Sequence, residues 1–132
     1  MNVIEGTVQR ISSADGMCEV EINTELGVFY SVVLESPGEA EFIKEGRRVR
    51  CIFKGTDAEI LRERVHTINV FEGKVKDLLK GPVISMLSLD CGGKVLRFML
   101  TNKQLSILSL SEGDRVYVVI SPMRVVLEVS NG

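Results

Sequence analysis

Side chains that can donate hydrogen bonds to an anion collect where the predicted strands begin or end. They carry amide, hydroxyl, ammonium or free backbone N–H groups, and they are Asn2, Asn69, Thr101, Ser121 and the run Lys54-Gly55-Thr56. Such a set suits a small oxyanion, which needs many donors but little net positive charge. The same residue types also dominate ordinary turns for local reasons, so the sequence leaves a purely structural role open.

Catalytic groups are scarce in this chain. His66 is the only histidine, so a histidine-based metal or catalytic centre lacks the further histidines it needs. His66 lies near the middle of the chain, between the two repeated units described below, and a lone histidine at such a junction is usually a surface or packing residue. No GxxxxGK[ST] phosphate loop occurs, and the carboxylates alternate with apolar residues as on a solvated strand face. We therefore predict a binding protein without a metal site rather than an enzyme.

The sequence contains an internal repeat. The segment Asn2-Val3-Ile4-Glu5-Gly6 recurs as Asn69-Val70-Phe71-Glu72-Gly73, which is 67 positions later, and a Glu-Gly step near the end of each unit keeps the same spacing. Between these anchors we expect the register to drift by one or two residues, which would pair Gly16 with Gly81. Two motifs that recur at one spacing indicate a tandem duplication.

Each repeat, residues 1–65 and residues 66–132, is predicted to form five short strands. In residues 17–23, for example, apolar and acidic residues alternate as they do on a half-buried strand. One short helix or turn is expected in each repeat, near residues 38–44 and 102–108. Five strands with a short helix before the fourth predict an all-β fold of two tandem OB-like barrels. A closed barrel leaves no strand edge unpaired. Each barrel has a small core, so the two are expected to pack together.

Composition restricts the partners and the compartment. The formal net charge is −2 and aromatic residues make up 5% of the chain, whereas a nucleic-acid partner usually requires basic patches and rings for stacking. The three cysteines are far apart and form no CxxC pair, which is typical of a reducing compartment. No apolar run approaches the ~20 residues that span a membrane, and the start lacks a signal-peptide layout. We predict a cytoplasmic protein that binds no nucleic acid and does not insert into membranes.

A dispersed pattern resembles a known module. The pattern N-x3-G-x-V, a glycine-led second strand, an L-x-x-G-x-x-V step and a turn before the last strand resemble the Mop or TOBE module, once per repeat over nearly the whole chain. That module is the molybdate-binding OB-like unit of molbindins. It also occurs, usually in tandem, at the C-terminus of molybdate-responsive repressors and of oxyanion-importer ATPases. The resemblance implies that molybdate or tungstate is the ligand, with no organic cofactor.

The resemblance also implies a set of site residues. In molbindins a Ser-Ala-Arg-Asn segment precedes the first strand and a Lys-Ser or Lys-Ala step precedes the last, and both help to hold the dianion where two modules meet. Here Asn69 keeps the asparagine after His66-Thr67-Ile68, Lys54 keeps the lysine, and Ser121-Pro122 takes its place in the second repeat. Thr101 matches a threonine that follows the third strand. The composite pocket that the resemblance implies takes Asn69, Thr67 and Thr101 from the second repeat, and it takes Lys54 from the first repeat or from a second copy of the chain. The full candidate set for the oxyanion is Asn2, Lys54, Gly55, Thr56, His66, Thr67, Asn69, Thr101 and Ser121.

Two functions from different classes follow from these residues. The first is molybdate or tungstate binding by a sensor, by a regulatory domain of an ABC importer ATPase, or by a storage protein. The opening segment is similar to the point where an importer ATPase passes into its regulatory domain, which predicts a piece of a longer chain with an ATPase or permease as partner. The altered segment before Asn69 favours the alternative, a ligand-free structural or dimerisation module. Sugar or metal-chelate ligands also remain open, and a homo-oligomer (a dimer or higher) is expected.

Overall fold

The computed structural model of the protein describes residues 1–131. This part of the chain forms ten strands, one α-helix and one 3₁₀ turn. In chain order the elements are β1 Asn2–Ala14, β2 Met17–Thr24, β3 Gly27–Val33, β4 Arg48–Phe53, β5 Ala58–Leu61, β6 Val70–Lys80, β7 Ile84–Cys91, β8 Lys94–Thr101, α1 Asn102–Leu108, β9 Arg115–Ile120, the 3₁₀ turn Pro122–Arg124 and β10 Val126–Val129. The prediction of an all-β, OB-like fold with two five-stranded units is confirmed.

The two sheets exchange their last strands. One sheet has the strand order β10-β4-β1-β2-β3 and the other has the order β5-β9-β6-β7-β8. The fifth strand of the first repeat therefore pairs with β9 of the second repeat, and the tenth strand pairs with β4 of the first. The division at residues 65 and 66 stays a prediction about where the sequence repeat begins, because in space each sheet contains strands from both repeats.

The pairing register of the two sheets is the same at a constant spacing of 67 residues. Gly6 lies opposite Val49 in the first repeat, and Gly73 lies opposite Val116 in the second. The bulges obey the same spacing, since one lies between Val8 and Arg10 and the other between Val75 and Asp77. The expected drift of register is therefore wrong. Both repeats keep the same pairing register and the same turns between the paired strands.

The glycine pairing that rested on that drift is wrong as well. Ser13 lies opposite Cys18 in β1 and β2, and the matching pair 67 positions later is Lys80 and Ser85 in β6 and β7. Gly16 consequently has a valine at its counterpart position, not Gly81. Glycine can occupy more than one position of a turn, so a glycine in a sequence indicates a turn but does not fix the register of the strands beside it.

The core runs without a break from one repeat to the other. The rings of Phe29 and Phe71 stack with centroids 5.6 Å apart, and those of Phe53 and Phe98 stack at 6.3 Å. Each pair joins a ring from the first repeat to a ring from the second, and all four side chains are buried. Since apolar burial is the main favourable term in folding, the two repeats stabilise each other.

The segment that joins the repeats is fastened to the second repeat by Arg62. Its Nε donates to the carbonyl of Leu108 at 2.8 Å, and its Nη2 donates to the carbonyl of Ser109 at 2.6 Å and to the Asp114 carboxylate at 3.0 Å. These carbonyls belong to the C-terminal end of α1, where unpaired C=O groups accept hydrogen bonds from cationic side chains. The contact explains how a short polar joint holds its neighbours close.

Only the second repeat has the predicted helix. Its N-cap is Thr101, whose hydroxyl accepts from the Gln104 N–H at 3.1 Å while the Gln104 side chain accepts from the Thr101 N–H at 2.8 Å. Asn102 is the first helical residue. Residues 38–44 of the first repeat form turns, and Ile43 from these turns is buried in the core.

The two glycines at equivalent positions of β1 and β6 tolerate a side chain to different degrees. A Cβ at Gly6 would lie 2.6 Å from Cγ2 of Ile22 and 2.7 Å from the backbone oxygen of Asn23, whereas a Cβ at Gly73 would lie 3.0 Å from Sγ of Cys91. We expect Gly6→Ala to lower the free energy of unfolding by about 2–3 kcal/mol and Gly73→Ala by about 1 kcal/mol, because only the first must displace backbone. Urea unfolding of both variants measures this, and equal losses would contradict the packing described.

Candidate functional site

Two asparagines tie the repeats together in equivalent ways. The Asn2 side chain donates from Nδ2 to the Arg97 carbonyl at 2.8 Å and accepts at Oδ1 from the Arg97 N–H at 2.9 Å. Asn69 makes the same pair of bonds to Tyr30, at 2.9 Å to its carbonyl and 2.7 Å from its N–H. Each asparagine thus pairs with the outer edge of the third strand of the opposite repeat, β8 or β3, as a further strand would.

Both asparagines are almost wholly buried. Asn69 is 1% exposed and Asn2 is 5% exposed. Asn69 also has a φ of 56°, a left-handed conformation that asparagine tolerates better than most residues. Its carbonyl accepts from the Ile120 N–H at 3.1 Å. These amides are therefore occupied in holding strand edges, which leaves little of them to face a ligand.

The turn between β4 and β5 lies directly on β8. The Lys54 N–H donates to the Asp57 carboxylate at 3.0 Å, and the Lys54 carbonyl accepts from the Asp57 N–H at 3.0 Å. At Gly55 a Cβ would lie 2.6 Å from the Arg97 carbonyl oxygen, and the Gly55 carbonyl accepts from the Met99 N–H at 3.2 Å. Glycine is required here by the close approach of two backbones. Lys54 itself is exposed.

The turn after β9 is the equivalent segment in the second repeat, and it lies on β3. The Ser121 hydroxyl accepts from the Met123 N–H at 3.2 Å, and its carbonyl accepts from the Arg124 N–H at 2.9 Å. The buried hydroxyl of Ser31 donates to the Val125 carbonyl at 2.6 Å. Pro122 begins the 3₁₀ turn, where its missing N–H costs nothing.

These two turns border a common cleft because β5 and β10 cross between the sheets. The cleft has a volume of about 460 Å³ and is lined by Thr56, Asp57, Glu59, Val119, Ser121 and Arg124. It brings together Thr56 and Ser121, which the sequence placed in different repeats. It also contains Arg124, which sequence reasoning missed, although a basic residue beside the Ser-Pro turn was a usable signal. Two hydroxyls and a guanidinium can donate to an anion there, while Asp57 and Glu59 oppose one.

The remaining candidates lie elsewhere. His66 and Thr67 are exposed in the segment that leads to Asn69, and the Thr101 hydroxyl is engaged in capping α1. Asn69 contacts β3, whereas Lys54 lies on the side of β8. Among residues 1–131 no hydrogen bond joins Lys54 to Asn69, Thr67 or Thr101. The composite pocket, with Lys54 from the same chain or from a second copy, stays a prediction.

The titrating groups of the described chain do not resemble acid–base machinery. Burial raises the pKa of the Cys51 and Cys91 thiols to about 12, so both stay protonated and unreactive at neutral pH. A hydrogen bond with Glu21 raises the pKa of Tyr30, and burial adds to it. Over residues 1–131, no three His, Cys, Asp or Glu side chains converge as metal ligands would. In the same part of the chain, α1 is far too short to cross a bilayer, and no other helix could do so.

The second repeat and the whole architecture are similar to known proteins. Residues 67–127 match the family model of the TOBE domain. Among solved structures the chain is similar to the cytoplasmic molybdate-binding protein ModG, in a PEG-grown crystal form with molybdate bound. The two share 27% sequence identity and a TM-score of 0.89, over 98% of this chain and 96% of ModG. Comparison by sequence with curated proteins finds no match.

Neither similarity is to an enzyme, and the structural match is to a binding protein. The prediction that the chain is a binding protein rather than an enzyme is confirmed. The family match covers β6 to β9, α1 and the first part of β10. From residue 67 to residue 127 this chain is similar to a TOBE domain.

Proposed function

We propose that this protein binds a tetrahedral oxyanion, molybdate or tungstate. The observation that carries the proposal is the similarity to ModG with molybdate bound, which extends over nearly the full length of both chains. The TOBE domain in the second repeat supports it independently. Molybdate and tungstate are nearly equal in size and charge, so a site made from hydrogen-bond donors should accept both.

The proposed site lies where the two exchanged strands cross. Thr56 and Ser121 supply hydroxyl groups to one cleft, and Arg124 supplies a guanidinium. Lys54 stands at the start of the turn that carries Thr56. The Asp57 carboxylate is partly satisfied because it accepts from the Lys54 N–H, which lowers its opposition to a dianion. The buried asparagines act indirectly in this proposal, since they hold the strands on which the two turns lie.

The direct test is isothermal titration of the purified chain with molybdate, tungstate and sulfate. We expect micromolar or tighter binding of molybdate and tungstate, with sulfate silent because a smaller anion makes fewer simultaneous contacts in a site shaped for a larger one. A well-folded protein that gives no heat with any of the three anions would refute the proposal.

Lys54→Ala should weaken molybdate binding by roughly tenfold or more, because a hydrogen bond from a charged donor to an anion contributes about 1.5–3 kcal/mol. The side chain is exposed and lies in a turn, so the fold should be unchanged. Lys103→Ala is the matched control, since it removes an exposed lysine from α1, away from the cleft. Titration of both variants decides the role of Lys54, and equal affinity for molybdate would remove it from the site.

A ligand-free structural or dimerisation module is the second candidate function. It is favoured because four candidate side chains make hydrogen bonds within the protein. The amides of Asn2 and Asn69 hold strand edges, the Thr101 hydroxyl caps α1, and the Ser121 hydroxyl caps the 3₁₀ turn. This alternative predicts self-association without any anion effect. Light scattering alongside the titration separates the two functions.

We also propose the cellular setting that the resemblance implied. The first repeat serves as a second module of the TOBE type, which its identical pairing register supports. The protein assembles as a homo-oligomer and acts in the cytoplasm as a sensor, as a regulatory domain of an importer ATPase, or in storage. A regulatory role requires molybdate to change the rate of ATP hydrolysis by the partner ATPase. Storage instead requires several anions per chain, which the stoichiometry of the titration measures.

A further inference from the structure

The outward face of β6, β7 and β8 carries a row of exposed apolar side chains. Leu79 lies opposite Met86 and Met86 lies opposite Met99, so the three form one line across the strands. Their exposed fractions are 69%, 38% and 42%, and Ile84, the next outward residue of β7, is 48% exposed. A contiguous apolar surface of this kind on a folded protein usually marks an interaction site.

The first repeat shows that the fold does not need this row. Its β1, β2 and β3 have the same pairing at a spacing of 67 residues, and there the equivalent line is Ser12, Glu19 and Val32. Ser12 and Glu19 are exposed. Because the same backbone accepts serine and glutamate at these positions, the leucine and methionine of the second repeat are not demanded by strand formation.

The neighbouring row on the same face carries one charge of each sign. Asp77 of β6, Ser88 of β7 and Arg97 of β8 lie opposite one another. Strands two places apart in a sheet are about 10 Å apart, so the carboxylate and the guanidinium flank the centre of the face. Within the described chain neither Asp77 nor Arg97 takes part in an ion pair. The face is therefore apolar with a negative side and a positive side.

We propose that two copies of this chain associate face to face through this row, about a twofold axis parallel to β7. Such an axis lays β6 of one copy over β8 of the other, which sets Asp77 against the second copy's Arg97, twice. The same rotation packs Leu79 on Met99 and the central Met86 on its own counterpart. Within these two rows the face is self-complementary in both charge and polarity, as an isologous interface must be. The inference rests on the proposed self-association and adds its surface, and it does not depend on anion binding.

The test is sedimentation equilibrium of the wild-type chain and of Met86→Glu. The wild type should be a dimer. Met86→Glu should weaken dimerisation by roughly 100-fold or more, because it sets two carboxylates against each other at the centre of the interface. Val28→Glu, an exposed valine on the outward face of β3, is the matched control and should leave the dimer intact. A monomeric or trimeric wild type, or an unchanged Met86→Glu dimer, would overturn the proposal.

Charge exchange tests the twofold geometry itself. Asp77→Arg alone should weaken the dimer, and so should Arg97→Asp alone. The double variant should recover most of the wild-type affinity, since each new aspartate then meets a new arginine. Leu79→Ser is a second probe of the apolar row and introduces the residue of the first repeat, so the protein should still fold. If titration with molybdate gives no heat but the wild-type chain is a dimer, only the anion proposal is refuted. If molybdate binds but the wild-type chain is a monomer, only the interface is refuted.

Discussion

Residues 1–65 expressed alone should not form a folded monomer, although they contain one complete sequence repeat. In the intact chain β5 leaves this repeat to pair with β9, and β10 arrives to cover the outer edge of β4. The isolated half would expose that edge, and it would also expose Phe29 and Phe53, whose stacking partners Phe71 and Phe98 belong to the other half. An uncovered strand edge and an open core favour unfolding or self-association.

Light scattering and amide NMR spectra of the half-chain measure this outcome. Mixing residues 1–65 with residues 66–132 is the control, because the two halves together contain every strand and should assemble into the native pair of sheets. A dispersed spectrum from monomeric residues 1–65 would show that β5 can close its own sheet. The exchange of strands would then not be required for stability.

Asn69→Ala should lower the free energy of unfolding by roughly 3–4 kcal/mol, the largest loss expected from a single polar side chain here. The change removes both hydrogen bonds to the Tyr30 backbone and leaves two backbone groups without partners, each costing about 1–3 kcal/mol. Alanine is also strained at a φ of 56°, by about 1 kcal/mol or more. Chemical unfolding in urea measures the total.

Two further variants separate these causes. Asn69→Gly removes the amide without strain, so it should be more stable than Asn69→Ala by about 1 kcal/mol. Asn2→Ala removes the equivalent tie to Arg97, and Asn2 does not have a positive φ, so its effect should resemble that of Asn69→Gly. A loss below about 1 kcal/mol for all three would show that the amides do not hold the strand edges.

The exchange of strands also bears on the proposed site. Thr56 follows β4 of the first repeat and Ser121 follows β9 of the second, and they share a cleft only because each chain segment then crosses to the other sheet. Two separate barrels would keep these turns apart. A site at the crossing is therefore completed by the pairing of the repeats, which links folding of the whole chain to binding.

The sequence by itself determined the strands, the duplication and the class of fold. Alternating apolar residues such as Cys18, Val20 and Ile22 are buried as predicted, because side chains of a strand point to opposite faces in turn. Turn residues marked the ends of most strands. The sequence also predicted the polar turns at Lys54 and Ser121, since lysine, glycine, serine and proline act there through local backbone preferences.

Only the tertiary structure decided which sheet each strand joined and what each polar side chain contacted. The pattern of Ala58–Leu61 fits an edge position in either sheet, since backbone hydrogen bonds are the same for every sequence. An amide that pairs with a strand edge and an amide that binds an anion also look alike in a sequence, because both need the same donor. Burial separates them, and the burial of Asn69 depends on β3 and β9, strands far from it along the chain.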